Sequence, residues 1–235
     1  MIYVMSDIHG YSEEFFKMLE LIDLKPEDTL YILGDIIDRG DKAFEILDYV
    51  MKQKNIKVLL GNHEQMMVCG LYGDKNALYC WLENGGIITY NQFAVFSEEK
   101  QAKYINFMAR LKTYEEINVN GQNYILSHAG MNIQRSFFKK TKEKVFAEQV
   151  EADFIWSRDT FFTNKALGKD DIIIFGHTCT IEVNAKTTKK PWDKAYIWFD
   201  TKYKDKIGID CGASMRLAGG RLGCLRLDDK KEYYL

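Results

Sequence analysis

The sequence predicts an α/β fold of the mixed α+β type, in which two packed, mixed β-sheets are flanked by helices. Three observations favour it. The first third of the chain alternates short apolar runs with segments of helical periodicity, an order that predicts parallel strands joined by right-handed crossovers. More strand patterns follow in the second half, close together along the chain. Small polar turns rich in histidine and aspartate follow five of the strands, at the sheet edge where open α/β folds place their sites.

Strand and helix patterns alternate from the amino terminus. The strands are short apolar runs, and the helices show apolar residues at three- and four-residue spacings. The first helix, for example, carries Phe15, Met18 and Ile22, with Ser12 as its expected N-cap. The predicted strands span residues 2–5, 29–33 and 56–60, and the predicted helices span residues 12–21, 42–51 and 64–71.

The middle of the chain, about residues 72–120, is predicted to be a helical insertion that lines the site. It contains helical patterns at residues 77–82 and 98–111. The pair Asn120-Gly121 predicts a turn, after which strand patterns return. The later predicted strands span residues 124–127, 172–175, 196–200, 206–210 and 222–227.

Composition limits the class of protein. The 235 residues are 46% hydrophobic, contain 2 prolines and include no linker-like stretch, so we expect a single domain over residues 1–235. The net charge of -2 argues against a stable nucleic-acid partner. Five cysteines without Cys-x-x-Cys spacing fit free thiols in a reducing compartment. No signal peptide and no stretch near the roughly 20 apolar residues of a membrane helix is visible, so we expect a cytoplasmic protein with no membrane association.

The five polar turns together carry the ligands of a metal site. Their key residues are imidazoles, carboxylates and one carboxamide, without thiolate, which suits Mn²⁺, Fe or Zn²⁺. Asp7 and His9 are two residues apart in an extended segment and so point the same way. Asp35 follows the next strand and can bridge two ions. The predicted ligands are Asp7, His9 and Asp35 for one ion and Asp35, Asn62, His128 and His177 for the other.

Two ions about 3.5–4 Å apart neutralise phosphate oxygens and lower the pKa of a bridging water, and the resulting metal-bridging hydroxide can attack phosphorus. His63 neighbours the ligand Asn62 and is a candidate general acid, with Asp38 orienting its ring. Arg39 can clamp a phosphate by two parallel hydrogen bonds, and the Asn62 amide also faces the phosphate in this interpretation. The pattern therefore predicts hydrolysis of phosphoesters.

The motifs Asp7-Ile8-His9-Gly10, Gly34-Asp35-Ile36-Ile37-Asp38-Arg39-Gly40 and Gly61-Asn62-His63-Glu64 resemble the phosphoprotein phosphatase (PPP) family of metallophosphoesterases. Later segments resemble its bacterial branch, typified by the phage lambda protein phosphatase; these are Asn84-Gly85-Gly86, Ile155-Trp156-Ser157-Arg158, Phe175-Gly176-His177-Thr178 and Ile209-Asp210-Cys211-Gly212-Ala213. The resemblance implies the calcineurin-like fold, an α/β/β/α sandwich, with two metal ions, commonly Mn²⁺. It also implies a phosphoprotein or phosphopeptide substrate and assigns Arg158 as a second phosphate clamp.

The chain departs from the family pattern in places. His128-Ala129-Gly130 stands where eukaryotic members have His-Gly-Gly, and their longer carboxyl-terminal segments are lacking, so no eukaryotic-type regulatory subunit is expected. Asp210-Cys211-Gly212 replaces the Asp-Thr-Gly of bacterial relatives, a change we expect to be structural. Symmetrical dinucleoside tetraphosphate hydrolases of the same superfamily typically carry aspartate where this chain has Glu64, which tilts against that activity.

The sequence therefore favours a metal-dependent serine/threonine protein phosphatase, with tyrosine as a further target. The alternative is a hydrolase of dinucleoside polyphosphates or RNA 5′ ends, which would need base-stacking aromatic residues near the site; Trp81, Trp156 and Tyr90 are the candidates, although core positions are favoured for all three. A third hypothesis is a non-catalytic phosphoprotein-binding module. It is disfavoured because the chain has all of the predicted metal ligands and also His63.

Overall fold

Two five-stranded sheets form the centre of the computed structural model, which describes residues 1–135, 141–167, 170–188 and 192–235. The first sheet has the order β10-β9-β1-β2-β3 and the second the order β4-β5-β6-β8-β7. The strands are β1 Ile2–Met5, β2 Thr29–Ile32, β3 Ile56–Val58, β4 Tyr114–Val119, β5 Gln122–Ser127, β6 Asp171–Phe175, β7 Trp198–Phe199, β8 Lys206–Gly208, β9 Gly223–Arg226 and β10 Lys231–Tyr234. The mixed α/β class predicted from the sequence is confirmed.

Each sheet combines three parallel strands with two antiparallel ones, which lie together on one side of the first sheet and at the two edges of the second. In the first sheet β1, β2 and β3 are parallel, whereas β9 runs antiparallel to β1 and β10 antiparallel to β9. In the second sheet β5, β6 and β8 are parallel, with β4 and β7 antiparallel at the two edges. The parallel strands end at one edge of each sheet, and the polar turns of the sequence follow those ends.

Helices cover the outer faces of both sheets. The helices are α1 Ser12–Leu21, α2 Ala43–Val50, α3 Asn62–Leu71, α4 Lys75–Trp81, α5 Ile87–Ala94, α6 Glu98–Met108, α7 Lys142–Phe146, α8 Glu151–Trp156, α9 Asp159–Thr163 and α10 Thr180–Thr188. A π-helical turn, Leu82–Gly86, joins α4 to α5. Within the described residues, no helix has the length and apolar character to cross a membrane.

Alternation along the strands divides the apolar side chains among three layers. Tyr3 and Met5 of β1 face the helices of the amino-terminal half, whereas Val4 between them packs in the cluster between the sheets. Ile172 and Ile174 of β6 join that same inter-sheet cluster. Ile173 and Phe175 face the outer helices of the second sheet. Three packed layers of this kind form a sandwich of two sheets between two layers of helices.

Three sequence-based expectations change. The predicted helical region at residues 72–120 ends earlier, because Tyr114–Val119 is the edge strand β4, which pairs with β5 across the predicted Asn120-Gly121 turn. The final strand β10 was not predicted. Ser12 is the first residue of α1 rather than its cap, and its hydroxyl donates to Glu45 instead.

Candidate active site

The polar turns at the strand ends adopt an unusual backbone conformation. Ten non-glycine residues in the described parts of the chain have a positive φ, and six of them belong to the predicted site. The six are Asp7, His9, Asp35, Asp38, Arg39 and His177. Left-handed backbone costs free energy for residues with a Cβ, and such strain concentrates at functional sites. The turns therefore hold these side chains in positions that ordinary strand or helix geometry would not supply.

Two glycines make the close approach of the turns possible. A Cβ at Gly61 would lie 2.2 Å from Asp35 Oδ1, and a Cβ at Gly176 would lie 2.2 Å from Asp7 Oδ2. Each glycine sits immediately before a predicted ligand in sequence and against a second ligand in space. Both contacts explain why glycine precedes Asn62 and His177.

Four donor atoms from four strand ends converge on one point. His128 Nε2 lies 2.9 Å from Asn62 Oδ1, 3.2 Å from His177 Nδ1 and 3.4 Å from Asp35 Oδ2. The other nitrogen of His128 lies 2.7 Å from the carbonyl oxygen of Leu33, so it carries the proton. With the proton on Nδ1, Nε2 presents a lone pair to the oxygens of Asn62 and Asp35, which also present lone pairs. A cation between these atoms would turn that repulsion into coordination.

His9 has the same arrangement on the neighbouring side of Asp35. Its Nδ1 lies 3.0 Å from the carbonyl oxygen of Ile37, which leaves Nε2 without a proton. Nε2 lies 3.8 Å from Asp35 Oδ2 and 4.0 Å from Asp7 Oδ1. Asp35 is thus shared by the two donor groups, as the bridging role predicted from the sequence requires.

The electrostatics of the buried site also fit divalent cations. Burial, with Arg39 and His63 nearby, holds the pKa of His9 well below its usual value, and burial beside His128 does the same for His177. Both rings are therefore neutral and able to ligate. Burial and the neighbouring Asp35 raise the pKa of the Asp7 carboxyl. A bound cation would reverse that shift, because it stabilises the ionised carboxylate.

His63 differs from the other three histidines. Its Nε2 is 3.8 Å from Asp35 Oδ2, as close as that of His9, but its Nδ1 lies 2.5 Å from Asp38 Oδ2. Burial alone would lower the pKa of His63, but the carboxylates of Asp35 and Asp38 outweigh burial, and the pKa is raised. A ring that keeps its proton is a poor ligand and a suitable proton donor.

The helical insertion holds Asp38 in place. The sequence predicted the insertion but not its contacts with Asp38. Trp81 is fully buried, and its Nε1 donates to both carboxylate oxygens of Asp38, at 3.0 and 2.8 Å. The backbone N–H of Asp38 donates to Thr89 Oγ1 at 3.0 Å. The carbonyl of Gly85, in the π-helical turn, accepts from the N–H of Arg39 at 3.2 Å. The insertion thus fixes the Asp38-Arg39 turn through three of its segments.

Two exposed arginines border the donor groups. Arg39 Nη2 lies 3.4 Å from His63 Nε2, and its Nη1 donates to Ser214 Oγ at 3.0 Å. Arg158 Nη1 donates to Thr178 Oγ1 at 3.1 Å, next to His177. The structure therefore brings together all of the predicted site residues, with one guanidinium group beside His63 and the other beside Thr178.

Glu64 supports the site without reaching it. Its buried carboxylate accepts hydrogen bonds from four backbone N–H groups, those of Gly61, Asp35, Ile36 and Ile37, at 2.8–3.3 Å. Burial beside Asp35 raises the pKa of this carboxyl to about 7, whereas the four N–H groups favour its ionised form. Glu64 shapes the Asp35 turn, so its identity gives little information about the substrate.

The cysteines near the site are packing residues. Burial and Asp210 raise the pKa of the Cys179 thiol to about 12, so this side chain stays protonated beside the donor groups rather than joining them. Cys211 is buried between the sheets, where Thr180 Oγ1 contacts its sulfur at 3.9 Å. The buried position of Cys211 agrees with the structural role expected for it from the sequence.

Comparisons with known proteins also indicate a phosphoesterase. The family model of calcineurin-like phosphoesterases matches residues 1–210. The chain is 42% identical over 65 residues to the symmetrical bis(5'-nucleosyl)-tetraphosphatase of Chromobacterium violaceum, a match that covers 27% of this chain and 24% of that protein. The enzyme of the same name from Actinobacillus pleuropneumoniae serotype 3 is 30% identical over 132 residues, 55% of this chain and 45% of the relative. The chain therefore matches less than half the length of these curated relatives.

Solved structures show the same fold at low identity. A putative diadenosine tetraphosphatase superposes with a TM-score of 0.58 at 18% identity, covering 100% of this chain and 92% of that one. The cold-active protein-tyrosine phosphatase of a psychrophilic Shewanella species gives a TM-score of 0.54 at 17% identity, with 100% and 80% coverage. A serine/threonine phosphatase from Saccharomyces cerevisiae gives 0.52 at 15% identity, with 100% and 78% coverage.

Proposed function

The chain belongs to the calcineurin-like phosphoesterase family, and on that premise we propose that it hydrolyses bis(5′-nucleosyl) polyphosphates by symmetrical cleavage. The observation that carries the proposal is the similarity to curated relatives named for this reaction. The proposal reverses the order of substrate classes that the motifs favoured. Glu64, the residue that had tilted against dinucleotides, accepts hydrogen bonds from backbone amides of its own turn and the neighbouring one.

The reaction adds water across the central P–O–P link of a tetraphosphate and releases two nucleoside diphosphates. Two divalent cations, with Mn²⁺ the first choice and Fe or Zn²⁺ as alternatives, would be held by the two donor groups around Asp35, where they would neutralise phosphate charge and activate water. Arg39, beside His63, and Arg158, beside Thr178, bind phosphate oxygens. His63, protonated beside Asp38, gives its proton to the oxygen of the departing diphosphate.

A second candidate is the serine/threonine or tyrosine protein phosphatase. It is supported by the run of motifs that resembles the bacterial phosphoprotein phosphatases, in order along nearly the whole chain. Both reactions use the same attack on phosphorus and differ in the leaving group, which is a phosphate oxygen in one case and a side-chain oxygen in the other.

Substrate comparison on one preparation separates the two candidates. The protein is stripped with a chelator, Mn²⁺ is returned stepwise, and initial rates are measured on diadenosine tetraphosphate and on phosphoserine, phosphothreonine and phosphotyrosine peptides. We expect the dinucleotide to give the highest kcat/KM, with ADP as the sole nucleotide product. Turnover of the peptides without turnover of the dinucleotide would replace the first proposal by the second, and ATP with AMP as products would contradict symmetrical cleavage.

A further inference from the structure

An exposed tryptophan stands at the rim of the candidate metal pocket. Trp156, the last residue of α8, has 37% of its surface exposed. Its ring meets the ring of His177 nearly at a right angle, with centroids 5.8 Å apart. A large aromatic side chain in water is costly when it covers nothing, so its position beside a predicted ligand suggests that something else covers it.

The indole is held in one orientation. Its Nε1 donates to Gln65 Oε1 at 3.2 Å, and the Gln65 amide donates in turn to Glu151 at the start of α8 at 2.5 Å. Gln65 lies on α3, three residues after the predicted ligand Asn62. The ring is thus fixed to the same helix that supplies a donor to the pocket, which lowers the entropy lost when a flat ligand stacks on it.

The other aromatic candidates of the sequence differ from Trp156. Trp81 is fully buried, and its N–H is already donated to Asp38. Tyr90 is as exposed as Trp156, at 38%, but its ring packs on Trp81, behind Asp38, with centroids 6.1 Å apart. Of the three, Trp156 alone combines exposure with a ring contact to a predicted ligand.

We propose that Trp156 forms the nucleobase subsite of this enzyme, on which the base of a nucleoside polyphosphate stacks; the inference rests on the dinucleotide function proposed above. Ribose and phosphate separate the base from the reacting phosphorus, so the base must lie a short distance outside the pocket. Trp156 lies at such a position, because its ring contacts the ring of His177. Arg158 follows two residues later in the sequence, and its guanidinium group contacts Thr178. A nucleotide can therefore reach from the indole past Arg158 to the donor groups.

Stacking on an indole accepts every base, because each base has a π-face. The subsite consequently recognises nucleotides as a class and does not choose among adenine, guanine and the pyrimidines through base edges. It distinguishes a nucleoside polyphosphate from a polyphosphate of the same charge that carries no base.

Binding and turnover of matched ligands test the subsite. Wild type, Trp156→Ala, Trp156→Phe and the control Tyr79→Ala, an exposed aromatic of α4, are compared for binding of ADP and of inorganic pyrophosphate, and for kcat/KM on diadenosine tetraphosphate and on tripolyphosphate. Trp156→Ala should weaken ADP binding and raise the dinucleotide KM by roughly 5- to 150-fold more than it affects the ligands without a base. Trp156→Phe should recover most of the loss, and Tyr79→Ala should keep the wild-type preference for the ligands that carry a base.

The outcomes separate the subsite from the proposed function. If wild type cleaves the dinucleotide but Trp156→Ala lowers binding of ADP and pyrophosphate by the same factor, Trp156 merely supports His177 and the subsite is wrong. If wild type binds ADP no more tightly than pyrophosphate, the subsite is also wrong, whatever the substrate. If ADP binds through Trp156 while the dinucleotide is not cleaved, the subsite stands and symmetrical cleavage falls. A selective loss on phosphopeptides would reassign the ring to a peptide surface and overturn the proposal.

Discussion

At the scale of single residues, the partner of one ring nitrogen decides what each buried histidine can do. In His9 and His128 the Nδ1 atom faces a backbone carbonyl, so the proton stays on Nδ1 and Nε2 is free to ligate. In His63 the Nδ1 atom faces the Asp38 carboxylate, which favours the protonated ring. Contacts with residues distant in sequence therefore favour different protonation in these three histidines, which supports the predicted division into metal ligands and a proton donor.

Trp81, whose indole N–H bonds Asp38, should affect kcat most when the leaving group is poor. Trp81→Phe removes the N–H that bonds both Asp38 oxygens, so the Asp38–His63 pair loses its fixed geometry. We expect kcat to fall roughly 10-fold on phenyl phosphate and less on p-nitrophenyl phosphate, whose leaving group needs no proton. Steady-state kinetics over a series of aryl phosphates measures this as a steeper dependence on leaving-group pKa.

The control for this series is Trp198→Phe, a buried tryptophan in the outer cluster of the second sheet. It tests whether loss of a large buried ring is enough to change the kinetics. An equal loss of activity across all leaving groups in Trp81→Phe would assign Trp81 to packing rather than to proton transfer.

The phosphate clamp gives a second prediction at this scale. Arg39→Ala removes a guanidinium that contacts His63 and Ser214 at the pocket. We expect KM to rise and kcat to fall, with a combined loss of about 1.5–3 kcal/mol in kcat/KM, the value of one charge-assisted hydrogen bond. Ser214→Ala keeps the charge and frees only its orientation, so its loss in kcat/KM should be smaller. Unchanged kinetics in Arg39→Ala would make Arg39 a structural residue.

At the scale of secondary-structure elements, the sequence predicts the candidate metal ligands at the strand ends. It does not predict the elements that hold the site residues in place. Asp7, Asp35 and Asn62 follow three parallel strands whose periodicity is visible in the sequence, and parallel strands end at one edge. Trp81 reaches Asp38 across 43 residues of chain, from a helix whose pattern indicates only a core position. The edge strand β4 falls inside the helical insertion predicted from the sequence, because its alternation of charged and apolar residues is weak on a half-exposed edge.

The turn that carries Asp35 provides a test of what Glu64 does. Glu64→Asp shortens the side chain by one methylene and moves the carboxylate away from the four N–H groups that donate to it. The change should therefore loosen the turn. We expect lower thermal stability and a similar fall in kcat/KM on diadenosine tetraphosphate and on a phosphopeptide, because the carboxylate is buried and bonded to backbone amides. The ratio of the two kcat/KM values measures this.

Glu64→Gln serves as the matched variant, since it keeps the length of the side chain and removes its charge. It should leave the ratio of the two kcat/KM values where it is in wild type. A shift of that ratio toward the dinucleotide in Glu64→Asp would restore residue 64 as a determinant of substrate class.

At the scale of the whole molecule, the donor groups join the two sheets. Asp7, Asp35 and Asn62 follow strands of the first sheet, whereas His128 and His177 follow β5 and β6 of the second. The closest donor contact, from His128 Nε2 to Asn62 Oδ1 at 2.9 Å, crosses between the sheets, and so does the contact from His128 Nε2 to Asp35 Oδ2 at 3.4 Å. A cation bound there would be held by both layers of the sandwich, and it would be released when the layers separate.

Metal binding should therefore stabilise the entire fold and not only the turns. A cation at about 100 times its dissociation constant adds about 2.7 kcal/mol to the free energy of unfolding. For a domain of this size that corresponds to a rise in Tm of roughly 5–11 °C. Calorimetry of the chelated protein, before and after return of Mn²⁺, measures the rise. His128→Ala, which removes the donor that faces three others, should have a lower Tm without metal and also a smaller rise with it. Equal rises in wild type and His128→Ala would show that the cation binds elsewhere, and the inference that it joins the sheets would fall with that result.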